Sequence, residues 1–216
     1  MLHGYLSSKE SFLPQIEYFS QFYRVTAPDF PGMGGANELG CPFSVGDYAD
    51  WTERFLSEQG IVNPLVIAHS FGGRVAIKLL ARGRVDRAVL TGCAGIVKKR
   101  TLRYRMRVRA YRIVKKIAPR YAEKHFGSAE YRSLPPVMRE SYKKIVNEDL
   151  REEAKTITRP VLFVCGSEDR ETPLASAQIY HACVKNSRLL VLKRCGHFAH
   201  IENPLAFNAA AEEFFS

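Results

Sequence analysis

Residues 64–80 read PLVIAHSFGGRVAIKLL. Pro64 to His69 is a short, nearly unbroken apolar run, the pattern of a strand covered on both faces within a parallel sheet. Gly72 to Arg82 continues with small and apolar residues that read as a helix, so Ser70 stands on a strand-to-helix turn. A nucleophile on such a strained turn needs small neighbours two residues to either side, because its backbone is forced against the adjoining strand and helix. Ala68 and Gly72 meet that demand. The bare small-x-Ser-x-small pattern is common, and an ordinary N-cap serine also produces it. Its placement between a strand and a helix is what gives it weight.

Outward from this unit the same rhythm repeats. Tyr23 to Pro28, Val85 to Cys93, Pro160 to Gly166 and Arg188 to Arg194 read as further short strands. Helical stretches lie between them. Ser44 and Asp47 form a capping-box-like start for a helix over Val45 to Gly60, and Pro173 to Val184 and Pro204 to Phe215 each open with proline, which suits a first helical turn. Alternating strands and helices predict an α/β fold with a doubly wound, mostly parallel sheet, residues 1–96 and 156–216 forming its core.

Residues 97–155 break the rhythm: they are helical in pattern and hold no strand. Leu102, Met106, Ala110, Ile113 and Ile117 keep the three-and-four spacing of one buried face, with Arg103, Arg105, Arg107, Arg109 and Arg112 mostly elsewhere on the helix. Pro119, Pro135 and Pro136 divide the segment into about three helices. The net charge of +10 is concentrated here: residues 97–156 carry 18 Lys and Arg against 7 Asp and Glu, and the rest of the chain carries 14 against 15. Such a segment reads first as a solvated helical lid, and second as a surface for nucleic acid or an anionic membrane.

Composition narrows the class. The chain has 216 residues with 46% hydrophobic and 25% charged residues, near the globular average, which excludes a disordered tail or a fibre. The N-terminus MLHGYLSSKE has neither a basic nor an apolar leader region, and no apolar run approaches the roughly 18 residues that span a bilayer, so the expected location is cytoplasmic. Cys41, Cys93, Cys165, Cys183 and Cys195 show no paired C-x-x-C spacing, which argues against a disulfide framework or a zinc site.

Two further candidates for chemistry follow strands. Pro160 to Gly166 is followed by Ser167-Glu168-Asp169, and Arg188 to Arg194 by Cys195-Gly196-His197. Open α/β sheets place their sites at the carboxyl ends of strands, where Ser70, Asp169 and His197 all fall. A serine hydroxyl is a poor nucleophile until an imidazole removes its proton, and a carboxylate must hold that imidazole in the correct tautomer. The three residue types in the order Ser, acid, His therefore form a candidate catalytic triad. Glu168 is the competing acid, and His3, His69 and His200 read as structural.

On these residues the sequence resembles the α/β-hydrolase-fold superfamily, as a capped, esterase-like serine hydrolase. His3-Gly4 resembles the HG turn of that family, Asp29 to Gly34 (DFPGMG) its D-x-P-G-x-G loop, Gly166 to Pro173 its G-x-x-D-x-x-x-P turn, and Gly196 to Pro204 (GHFAHIENP) its G-H-x-x-H-x-E-x-P ending. The resemblance implies Asp169 rather than Glu168 as the acid, an oxyanion hole built from the backbone N–H groups of Tyr5 and Phe71, and a helical cap over residues 97–155. It implies an ester, thioester or related acyl bond in a small-molecule substrate. Alternatives are carbon–carbon bond hydrolysis on the same fold, or a non-catalytic ligand-binding relative. No cofactor and no metal are expected: Pro31 interrupts the glycines at 32, 34 and 35, and neither a P-loop nor an H-E-x-x-H motif occurs. In the family an interior strand precedes the HG turn, and here only Met1 and Leu2 stand in its place, with two further N-terminal strands absent. The expectation is a loosely held Tyr5, low stability and weak activity, relieved by an upstream apolar segment.

Overall fold

The computed structural model describes residues 1–97, 106, 109, 117 and 134–216. Among these, β1 (Leu65–His69), β2 (Arg87–Thr91), β3 (Val161–Gly166) and β4 (Ser187–Leu192) form one parallel sheet in the order β1-β2-β3-β4. The described helices are α1 (Leu13–Phe19), α2 (Val45–Glu58), α3 (Phe71–Ala81), α4 (Pro136–Asn147), α5 (Arg151–Thr156), α6 (Leu174–Cys183), α7 (Ala199–Glu202) and α8 (Pro204–Phe215). A short 3-10 turn, Lys9–Phe12, leads into α1.

The strands are apolar along their length because both faces of the sheet are covered. Side chains alternate along a strand, so Val66, Ala68, Ala88, Leu90, Val161 and Phe163 face one core with Tyr48, Val75, Leu79 and Tyr180, while Ile67, Val89, Leu162 and Val164 face another with Phe12, Phe19, Phe207 and Phe214. α2 starts on the expected capping box: the Asp47 N–H donates to Ser44 Oγ at 3.2 Å and the Ser44 N–H donates to Asp47 Oδ2 at 2.7 Å. Pro204 opens α8 in its first turn, whereas Pro173 precedes α6 as its N-cap residue.

Residues 23–28, expected as a strand, form none. A strand is defined by its partner, and an apolar cavity of about 380 Å³, lined by Val25, Phe19, Phe55, Leu56, Leu65 and Ile67 among others, lies between this segment and β1. Its recorded tie to the sheet side is a single hydrogen bond from the Met1 ammonium to the Thr26 carbonyl, at 2.6 Å. Leu2 instead takes the place beside β1, in a parallel bridge to Ala68: its N–H donates to the Ile67 carbonyl at 2.9 Å and its carbonyl accepts from the His69 N–H at 3.0 Å.

In the segment 97–155 the described part is helical where α4 and α5 lie. Leu102, Ala110 and Ile113, the basic residues Arg103, Arg105, Arg107 and Arg112, and Pro119 lie outside the described residues. Met106 and Ile117 are helical but 65% and 80% exposed, not buried as their spacing predicted. Apolar periodicity defines a helix face and says nothing about what covers it. α4 is tied to the core through Arg74, a buried arginine on α3 whose guanidinium donates to the carbonyls of Ile145 and Glu148, at 2.8 and 2.9 Å. Among the described residues no helix is long and apolar enough to cross a membrane.

Candidate active site

Ser70 joins β1 to α3 at φ 51° and ψ −106°, a left-handed backbone that a residue with a Cβ adopts only under strain, at a cost on the order of 1–3 kcal/mol. The surroundings force it there. A Cβ on Gly72 would stand 2.1 Å from the Leu2 carbonyl oxygen, and one on Gly73 would stand 2.7 Å from Cys93 Sγ. Two glycines thus let the first turn of α3 press against Leu2 on one side and the end of β2 on the other, which lifts Ser70 out at the carboxyl edge of the sheet.

Asp169 follows β3 and His197 follows β4, and the sheet brings them together. His197 Nδ1 lies 2.9 Å from Asp169 Oδ2, with the carboxylate side chain fully buried and the imidazole 16% exposed. Asp169 Oδ1 accepts from the backbone N–H groups of Glu171 (2.9 Å) and Thr172 (2.8 Å), and Oδ2 also accepts from the Thr172 hydroxyl at 2.7 Å. Burial works to raise the Asp169 pKa, but the hydrogen bonds from His197 and Thr172 outweigh it and hold the group below its usual value, so it is a carboxylate. With Nδ1–H donated to that carboxylate, His197 Nε2 carries the lone pair. Glu168, the competing acid, is exposed, and its backbone N–H donates to the Cys195 carbonyl at 2.8 Å. No hydrogen bond joins Ser70 Oγ to His197 among the described contacts; such bonds are often open before substrate arrives and close in the reacting complex.

Three further residues, Glu202, His69 and Gly92, position His197. Glu202 accepts from the N–H groups of both chain neighbours of His197, Gly196 at 2.6 Å and Phe198 at 3.2 Å. His69 Nε2 sits 3.1 Å from the His197 carbonyl, an oxygen that only accepts, so the proton of His69 is on Nε2. Gly92, at φ +53°, leaves room for the ring: a Cβ there would meet His197 Cε1, Nδ1 and O, each at 3.1 Å.

The HG turn abuts the same site, since a Cβ on Gly4 would lie 3.7 Å from Ser70 Cβ. Side chains hold this turn. His3 Nε2 accepts from the Phe30 N–H at 3.0 Å, which leaves its proton on Nδ1, and Nδ1–H donates to the Gly4 carbonyl at 2.7 Å. The Tyr5 ring packs edge-on to Phe71 with centroids 5.5 Å apart, and its hydroxyl donates to the Met138 carbonyl of α4 at 3.1 Å. Tyr5 is therefore anchored to the core and to α4, where the sequence led us to expect it loosely held. The Phe71 N–H opens α3 and has no carbonyl of its own helix to donate to. Asp29 braces the neighbouring loop by accepting from the N–H groups of Lys9 (2.7 Å) and Gly35 (2.9 Å). Among the described residues no group of three or more His, Cys, Asp or Glu side chains is arranged to hold a metal ion.

The buried histidines make stability depend on acidity. Burial lowers the pKa of His3, lowers that of His69 further, and pushes His200 down to about 4. In the unfolded chain each ring takes its proton near pH 6.5. Between that pH and the lower folded values the unfolded state binds more protons, so stability is full above pH 6.5 and falls as pH drops. For His200 alone the loss down to pH 4 is on the order of 3 kcal/mol. Urea midpoints measured from pH 7.5 to 4.5 should decline steadily below pH 6.5, and a midpoint constant over that range would contradict the neutral, buried assignment of these rings.

Comparisons with known proteins place the chain in a family. The description "Alpha/beta hydrolase family" belongs to the family whose sequence pattern matches residues 1–210. A Cronobacter turicensis protein provisionally named a carbamate hydrolase is 27% identical over 91% of this chain and 82% of its own length. Among solved structures, an esterase from Exiguobacterium antarcticum superposes with a TM-score of 0.78 at 20% identity, over 100% of this chain and 91% of that one. A meta-cleavage product hydrolase from Pseudomonas fluorescens does so at 0.75 and 24% identity, over 99% and 88%.

Proposed function

The chain belongs to the alpha/beta hydrolase family and is a hydrolytic enzyme, and from that premise we propose that it cleaves an ester, thioester or related acyl bond through Ser70, His197 and Asp169. The observation that carries this reading is the strained backbone of Ser70 at the end of β1, on the same edge of the sheet as the closed Asp169–His197 pair. Leu6, Asn63 and Arg194 are also non-glycine residues at positive φ, so what gives the strain at Ser70 its weight is the hydroxyl it presents on the same edge of the sheet as the Asp169–His197 pair.

In this mechanism Ser70 Oγ attacks the substrate carbonyl carbon while His197 Nε2 takes the hydroxyl proton. Asp169 keeps the imidazole in the Nδ1–H tautomer and stabilises the imidazolium that forms. The negative oxygen of the tetrahedral intermediate is held by the backbone N–H groups of Tyr5 and Phe71. His197 then passes its proton to the leaving alcohol, thiol or amine, an acyl group remains on Ser70, and water activated by the same imidazole releases it. The segment 97–155 is the cap in this reading, with Tyr5 joining the oxyanion turn to α4.

The names of the relatives cover carbamates, esters and meta-cleavage products, so the substrate test includes all three. A panel of p-nitrophenyl esters of increasing acyl length, an aryl carbamate and a dienoic meta-cleavage compound should show turnover of at least one acyl ester, lost in Ser70→Ala. Turnover of the meta-cleavage compound alone would favour carbon–carbon hydrolysis. Failure of every compound, with no labelling of Ser70, would favour the non-catalytic relative.

A further inference from the structure

We infer that Thr172 is a positioning residue of the triad, its hydroxyl closing a three-cornered hydrogen-bond ring with Asp169 and His197; this rests on the reading of those two residues given above. Thr172 Oγ1 lies 2.7 Å from Asp169 Oδ2 and 3.2 Å from His197 Nδ1, and Nδ1 itself lies 2.9 Å from the same Oδ2. The proton placement follows from the groups. A carboxylate oxygen can only accept, so the one hydroxyl proton of Thr172 goes to Asp169 Oδ2. The oxygen of Thr172 then faces His197 Nδ1 with a lone pair, and Nδ1–H is shared between Oδ2, the shorter contact, and Oγ1, the longer.

This ring does two things that the imidazole–carboxylate pair alone does not. The Asp169 side chain would otherwise be free to turn about its last bond, and three of its four contacts come from Thr172 or its neighbour: the backbone N–H groups of Glu171 and Thr172 fix Oδ1, and the Thr172 hydroxyl fixes Oδ2. The carboxylate plane is therefore set before His197 binds to it. The shared Nδ1–H also limits rotation of the imidazole, because tilting it away from Oδ2 brings it to a second acceptor on the same side, and the direction of Nε2 is fixed with it.

Thr172 touches neither Ser70 nor the oxyanion turn in any recorded contact, so its effect is on the chemical step and not on substrate affinity. The other titratable rings near His197 are His69, whose centroid is 4.7 Å away, and His200, 4.7 Å beyond His69; both are common to every variant below.

The test uses the full chain and compares Thr172→Val, which keeps the shape and removes the hydroxyl, with Thr172→Ser, which keeps the hydroxyl and removes the methyl. Thr172→Val should lower kcat about tenfold with KM within twofold of the parent, and Thr172→Ser should restore kcat to within about twofold. Proton NMR of the same proteins should show the downfield His197 Nδ1–H resonance displaced or lost in Thr172→Val and present in Thr172→Ser. Equal kcat and an unchanged resonance in Thr172→Val would overturn the assignment, as would a serine variant as impaired as the valine one, which would make the methyl packing responsible. If Thr172→Val does not fold, Thr172→Ala carries the same comparison with serine. The resonance is read without substrate, so a failure of the Ser70 mechanism would appear as a parent unaffected by Ser70→Ala while the Thr172 comparison still gives its answer.

Discussion

Ser70→Ala and His197→Ala are each expected to lower acyl-ester hydrolysis at least about a thousandfold, with the thermal midpoint within a few degrees of the parent. Neither side chain is part of the core: Ser70 projects from a turn whose geometry is set by Gly72, Gly73 and the Leu2 bridge, and the His197 loop is held through backbone contacts to Glu202 and His69. The folded structure therefore survives both changes. The double variant should be no slower than the worse single one by more than a small factor, because an imidazole without a hydroxyl to deprotonate, or a hydroxyl without its base, contributes nothing separately. Steady-state rates on a responsive ester measure this directly. Losses that multiply would mean that the two residues act in different steps.

Asp169→Asn should cost still more than its near-identical shape suggests, on the order of ten-thousandfold in kcat. The reason lies in the donors around it. Asp169 Oδ1 accepts from two backbone N–H groups, those of Glu171 and Thr172, which can only donate. The single oxygen of an asparagine must take that place, which turns its NH2 toward His197 Nδ1. The imidazole then answers with a lone pair at Nδ1 and carries its proton on Nε2, where it cannot accept the proton of Ser70. Flipping the amide would set NH2 against two N–H donors. The variant should fold, bind substrate with little change in KM, and turn over slowly; activity within tenfold of the parent would show that Asp169 does not set the tautomer.

The part of this architecture that could be read from residues alone is the part determined locally. The run 64–80 encodes strand, turn and helix within one short stretch, and Ser44 with Asp47 encodes the start of α2 in the same way. Asp169 and His197 were legible because both stand just beyond strands, and parallel strands bring their carboxyl ends together. Residues 23–28 carry a strand's composition but not its partner, and the cavity beside β1 decides the matter. Met106 and Ile117 show the same limit for a helix, since their spacing defines a face and only the packed chain shows these two side chains exposed. Glu202 stood in the G-H-x-x-H-x-E-x-P ending without a stated role, and Thr172 and Gly92 had no local signature of theirs. Thr172 meets His197 across 25 positions of chain and Gly92 meets it across the sheet, contacts that no spacing rule reports.

Labelling with a fluorophosphonate tests the central claim most directly, because the reagent bonds only to a serine hydroxyl whose proton is being removed by a base. Intact-protein mass spectrometry of the parent chain should show one adduct, peptide mapping should place it on Ser70, Ser70→Ala should take up none, and His197→Ala should react at a small fraction of the parent rate. An unmodified parent chain, or an adduct on any serine other than Ser70, would contradict the account.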